Sequence, residues 1–136
     1  MNKMNHNPVY IVDDDPDDRQ IINDAFEANQ ITSQVMLIEN GYKLMEDLQK
    51  QDVLLPGLIL LDLNMPGKDG REVLKEVKGN KLWRHIPIVI FTTSSFDKDR
   101  ESCYELGANC FVTKPSNYNK LVDTIRYIRE LWLTTN

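Results

Sequence analysis

Four short runs of almost purely apolar residues recur along the chain: Val9-Tyr10-Ile11-Val12, Leu58-Ile59-Leu60-Leu61, Pro87-Ile88-Val89-Ile90-Phe91 and Cys110-Phe111-Val112-Thr113. Strands without polar alternation are buried on both faces of a parallel sheet. Between the runs the hydrophobic period lengthens to that of a helix. The clearest case lies near the C-terminal end, where Leu121, Ile125, Ile128 and Trp132 share a stripe and Lys120, Asp123, Arg126 and Arg129 occupy other sides. Tyr127, Leu131 and Leu133 fall partly off that stripe, either as a partner surface or as ordinary scattered exposure. Strand and helix alternate five times, the pattern of a parallel sheet covered on both faces. The spacing predicts β1 at 8–12, α1 at 16–29, β2 at 34–38, α2 at 41–50, β3 at 58–61 and α3 at 70–78. A loop to residue 86 follows, then β4 at 87–91, α4 at 97–106, β5 at 110–113 and α5 at 117–133.

Length and composition narrow the class. A chain of 136 residues with 41% hydrophobic content makes one domain and buries about two thirds of its unfolded surface. A net charge of −5 without a basic stripe argues against nucleic acid, whose binding rests on Lys and Arg against phosphate. Cys103 and Cys110 are too few and too close to frame a secreted fold and are expected as reduced thiols. The segment 1–7 lacks the apolar core of a signal peptide and is expected to be disordered. No run approaches the roughly 18 apolar residues that span a bilayer. The expected location is therefore the cytoplasm, with no membrane association.

The chemistry gathers at the strand ends. Asp62 closes one apolar run and opens the turn Leu63-Asn64-Met65-Pro66-Gly67-Lys68-Asp69-Gly70, while Asp13-Asp14-Asp15 close another. Open α/β sheets place their sites at this carboxyl edge. Carboxylates crowded there repel one another unless a hard divalent cation neutralises them, which points to Mg²⁺. Asp15, Asp17 and Asp18 have a simpler explanation as N-cap and first-turn acids around Pro16. Thr92-Thr93-Ser94-Ser95 supplies hydroxyls for a phosphoryl oxygen, and Lys114 a point cation suited to phosphate. Pro115 permits a cis peptide that would turn Lys114 toward the pocket.

That ordered set resembles the receiver domain of bacterial response regulators from Val9 to about Leu133, most closely the stand-alone regulators found beside phytochrome-type and hybrid sensor kinases. The resemblance implies a flavodoxin-like, doubly wound five-stranded parallel sheet of order 2-1-3-4-5. It implies a receiver domain over 8–133 with no output domain. Asp62 would be the phosphoacceptor, served by a sensor histidine kinase or a histidine phosphotransfer protein. Asp14 would bind Mg²⁺ directly and Asp13 through water, joined by Asp62 and the main-chain carbonyl of Asn64, with Mn²⁺ able to substitute. Thr92 would sense the phosphoryl group together with Lys114, while Asn64 and Ser94 would tune dephosphorylation. Phe111 would sit at the aromatic switch position, and Lys114-Pro115 would be cis. Signalling, possible homodimerisation included, would run through α4-β5-α5, and catalysis would extend only to the chain's own phosphorylation and dephosphorylation.

Two other classes share parts of the pattern. A haloacid-dehalogenase phosphatase also pairs an aspartate nucleophile with Mg²⁺, but it needs a second acid two residues on, where Asn64 stands. A flavin carrier shares the fold, but no Ser/Thr/Gly-rich phosphate loop follows β1, and the acidic mouth would repel the flavin phosphate.

Overall fold

The computed structural model describes residues 7–50 and 54–133. The elements run β1 (Val9–Val12), α1 (Pro16–Ala28), β2 (Val35–Ile38), α2 (Gly41–Leu48), β3 (Leu58–Leu61), α3 (Gly70–Lys78), β4 (Ile88–Thr92), α4 (Asp97–Glu105), β5 (Cys110–Thr113) and α5 (Tyr118–Trp132). Each lies within two residues of its expected bounds. The strands form one sheet of order β2-β1-β3-β4-β5, parallel throughout.

The apolar runs lack polar alternation because both faces of the sheet are covered. Tyr10, Val12, Ile59, Leu61, Ile88 and Ile90 enter one core with α2, α3 and Cys103 of α4. Their neighbours Val9, Ile11, Leu58, Leu60, Val89 and Phe91 enter the other, with Ile22, Ala25 and Phe26 of α1 and Leu121, Ile125 and Ile128 of α5. Successive strand side chains point to opposite faces, so one continuous run serves both layers. Leu133, off the α5 stripe, is buried in the second core, whereas Trp132 is only half-buried.

Helix starts follow local chemistry. Asp15 caps α1 by accepting the Asp17 N–H at 2.9 Å, with Pro16 in the first turn. Asn40 and Asn117 cap α2 and α5, and Asp69 with Glu72 forms a reciprocal capping box on α3. Helix α4 differs. Phe96 stands at its N-cap without a side-chain bond, and Cys103 is its one buried residue.

At the opposite pole of the sheet, Lys78 Nζ donates to Ile86 O at 2.7 Å, Asn109 Oδ1 at 3.0 Å and Arg84 O at 3.2 Å. Burial lowers its pKa. The expected disordered segment 1–7 lies outside the described residues except for Asn7, whose amide donates to Leu55 O at 2.9 Å. Cys103 and Cys110 are free thiols.

Candidate functional site

Strand register assembles the site. Val12 pairs with Leu61, so the next residues, Asp13 and Asp62, emerge side by side, and Asp62 N–H donates to Val12 O at 2.9 Å. Thr92 pairs with Thr113 on the other side, and Lys114 N–H donates to Thr92 O at 2.6 Å. Three consecutive strand pairings, β1 with β3, β3 with β4 and β4 with β5, thus bring residues from 13 to 114 to one edge. Gly70 permits the tight β3–α3 turn, because a Cβ there would lie 2.6 Å from the Asp62 carbonyl oxygen. Gly67 adopts φ +78° in the same turn, a conformation favoured by glycine.

Asp13 and Asp62 are buried and Asp14 is exposed, yet one oxygen from each lies within 4.8 Å of the others. This close set of hard oxygen donors fits a divalent cation, since like charges at such range disfavour full ionisation without one. Burial, with the charges of Asp13 and Asp14, raises the Asp62 pKa to about 6 against the lowering pull of Lys114. Burial likewise pushes the Asp13 carboxyl up, opposed by Lys114 and the Asp15 N–H.

Lys114 bridges this cluster. Its Nζ lies 2.6 Å from Asp13 Oδ2, 3.0 Å from Asp18 Oδ2 and 4.0 Å from Asp62 Oδ1. Burial alone would lower its pKa, but the hydrogen bonds and charges of these acids outweigh it and hold the ammonium form. The expected cis peptide at Lys114-Pro115 is absent, since no cis bond occurs among the described residues. Lys114 directly follows β5, and its long stem reaches the acids with the Lys114-Pro115 peptide trans.

Of the other expected residues, Thr92, Ser94 and Phe111 are held by specific hydrogen bonds. Thr92 is fully buried, and its Oγ1 accepts the Ser94 N–H at 3.3 Å. Asn64 is exposed in the turn after Asp62. Ser94 is tied to the start of α4: its hydroxyl donates to Asp99 and accepts the Phe96 N–H at 3.3 Å. Asp99 also pairs with Arg71 in the first turn of α3. Phe111 is buried beneath the Arg100 guanidinium, 5.1 Å from its ring centroid, and its N–H donates to Tyr104 Oη at 3.0 Å.

Sequence reasoning missed three of these roles. Asp18 reads locally as a helix-start acid, and nothing local marks the pairing of Arg71 with Asp99. Each finds its partner 28 or more positions away, and no local signal announces it.

Comparison with known proteins adds independent support. The family model described as the response regulator receiver domain matches residues 9–126. Response regulator Rcp1 of Synechocystis sp. is 37% identical over 131 residues, covering 93% of this chain and 89% of Rcp1. The probable methanogenesis regulatory protein FilR2 of Methanothrix harundinacea is 32% identical, covering 94% of this chain and 84% of its own length. Among solved structures, the phosphorylated cyanobacterial phytochrome response regulator RcpA superimposes with a TM-score of 0.89 at 34% identity, covering 97% of each chain. The Mn(2+)-bound form of response regulator Rcp1 gives 0.86 at 36% identity, covering 96% of each. With its sheet order, its acidic strand ends and this match across most of its length, the chain belongs to the response regulator receiver family of two-component systems.

Proposed function

We propose that this receiver takes a phosphoryl group onto Asp62 from the phosphohistidine of a sensor histidine kinase or a histidine phosphotransfer protein, and thereby switches a protein-binding surface. The observation that carries the reading is Asp62 itself. It is a buried carboxylate with a pKa of about 6, close to two further acids and 4.0 Å from a lysine ammonium. At pH 7 most of it is ionised and nucleophilic.

An Asp62 oxygen attacks phosphorus in line, the P–N bond breaks, and the imidazole leaves with the electron pair and takes up a proton. Mg²⁺, with Mn²⁺ able to substitute, would be held by Asp14 directly, Asp13 through water, Asp62 and the Asn64 carbonyl, and would neutralise charge where the phosphoryl group meets these acids. Asp13 suits the indirect role, because Oδ1 already accepts the Asp15 N–H and Oδ2 already accepts from Lys114. Lys114 donates to a phosphoryl oxygen. Thr92 turns its hydroxyl to another oxygen, which takes an acceptor from the Ser94 N–H and so moves the loop before α4. Phe111 and α4 answer that movement. Asn64 tunes hydrolysis of the acyl phosphate, and Ser94 joins it only when its hydroxyl leaves Asp99.

The net charge of −5 disfavours nucleic acid as the partner. No helix among the described residues is long and apolar enough to cross a membrane. A cytoplasmic site of action fits both. The reading predicts that a small phosphodonor or beryllofluoride with Mg²⁺ modifies wild type and leaves Asp62→Asn unmodified, as read by mass spectrometry and ¹⁹F NMR. Label retained on Asp62→Asn would overturn it.

A further inference from the structure

We propose that Asp18 is a positioning residue for Lys114, holding its ammonium at the mouth of the site so that it meets the incoming phosphoryl group; this rests on the reading of Asp62 as phosphoacceptor. The geometry begins with three acids around one cation. Lys114 Nζ bonds to Asp13 Oδ2 and Asp18 Oδ2 at 2.6 and 3.0 Å, whereas Asp62 Oδ1 at 4.0 Å lies beyond hydrogen-bond range. An ammonium has three N–H donors, so two bonds leave one for a further acceptor.

The two anchors are not equivalent. Asp13 belongs to the close set of metal-ligating acids, so a bound cation and Lys114 draw on the same carboxylate. Asp18 stands outside that set, in the first turn of α1, and its carboxylate accepts from Lys114. Asp18 also lines the cleft of about 350 Å³ between α1 and the β5–α5 connection, together with Lys114, Pro115 and Tyr118. Lys114 therefore sits between the acids and the open cleft, and Asp18 is the anchor on the cleft side.

Positioning is distinct from competition here. A charge-assisted bond of about 2.8 Å would close the gap to an acceptor near Asp62 with a shift on the order of 1 Å. A phosphoryl oxygen extends outward from the carboxylate, so the bonds to Asp13 and Asp18 need not break. A competing Asp18 would hold Lys114 back, and its removal would strengthen phosphoryl binding. A positioning Asp18 gives the opposite sign.

The neighbouring acid Asp17 supplies the control. It lies exposed in the same helical turn, so Asp17→Asn removes the same charge from the same helix start. With Mg²⁺ saturating, beryllofluoride affinity measured by ¹⁹F NMR is expected to be about three- to fivefold weaker in Asp18→Asn than in Asp17→Asn, the size of a partly exposed ion pair. Mg²⁺ affinity of the two variants should agree within about twofold. Asp18→Asn placed on Lys114→Met should weaken beryllofluoride no further, because the partner is already gone. Equal or tighter binding by Asp18→Asn, or an additive loss on Lys114→Met, would overturn the assignment of Asp18. A wild type that binds no beryllofluoride would instead overturn the reading of Asp62 and this inference with it.

Discussion

Asp62 is a residue whose chemistry works against the stability of the fold. Its carboxyl keeps a proton to about pH 6 in the folded chain, whereas the unfolded reference loses it near 3.8, chiefly because burial disfavours the charge. Between those values the folded state binds the extra proton, so stability falls as pH rises from about 4 to about 6 and the full loss persists above. A shift of that size corresponds to about 3 kcal/mol at neutral pH. In chelator, Asp62→Asn should therefore be more stable than wild type by about 2–3 kcal/mol at pH 7, with the difference closing toward pH 4. Urea unfolding across that range checks it, and a difference that widens on acidification would contradict the sign.

At the scale of the element, α4 is the helix with the least apolar packing. Its apolar contribution to the core is Cys103, and its start lacks a side-chain cap. Polar tethers hold it instead: Asp99 to Arg71 and Ser94, Arg100 over Phe111, and Tyr104 to the Phe111 N–H. Such contacts exchange partners at lower free energy than a packed apolar face can be separated. By contrast α3 has a capping box and buries Gly70, Val73, Leu74 and Val77. Amide hydrogen exchange should be faster in α4 than in α3. Asp99→Ala should raise it further and lower stability by about 1–3 kcal/mol, since Arg71 and Ser94 lose their shared acceptor. Equal protection in the two helices would contradict this account of α4.

For the whole molecule, the question is which charges the α4-β5-α5 face offers a second copy. Two charges with an apparent place on that face are engaged within the chain. Asp99 serves Arg71 and Ser94, and Arg129 Nη1 donates to Asn29 O at 2.6 Å, tying α5 to the end of α1. Exposed ion pairs from the rest contribute about 0–1 kcal/mol each, whereas burying one leucine contributes about 1.5–3 kcal/mol. Leu131 is 71% and Tyr127 56% exposed on α5, so in the proposed homodimer apolar burial would decide the association. Beryllofluoride should tighten a weak homodimer, and Leu131→Glu should return it to monomer without loss of beryllofluoride binding. Sedimentation at several concentrations checks both. A dimer that survives Leu131→Glu would exclude this face, and a monomer under both conditions would leave a different protein as its reader.

What the sequence determined by itself is local. Continuous apolar runs specify strands buried on both faces, the Leu121-Ile125-Ile128 spacing specifies α5, and Asp15-Pro16, Asn40, Asp69 and Asn117 specify where helices begin. Asp13, Asp14, Asp62, Thr92 and Lys114 were legible because each ends or follows a strand, and a parallel sheet carries all such ends to one edge. Only the tertiary structure decided which charge meets which. Lys114 finds Asp13 across 101 positions and Asp18 across 96, Ser94 donates to Asp99, and Lys78 donates to two main-chain carbonyls and the Asn109 side-chain oxygen. Periodicity and capping act over a few residues and leave a mark in the order of the chain. Pairing between side chains depends on register, rotamer and burial, which exist only once the sheet has closed the distance.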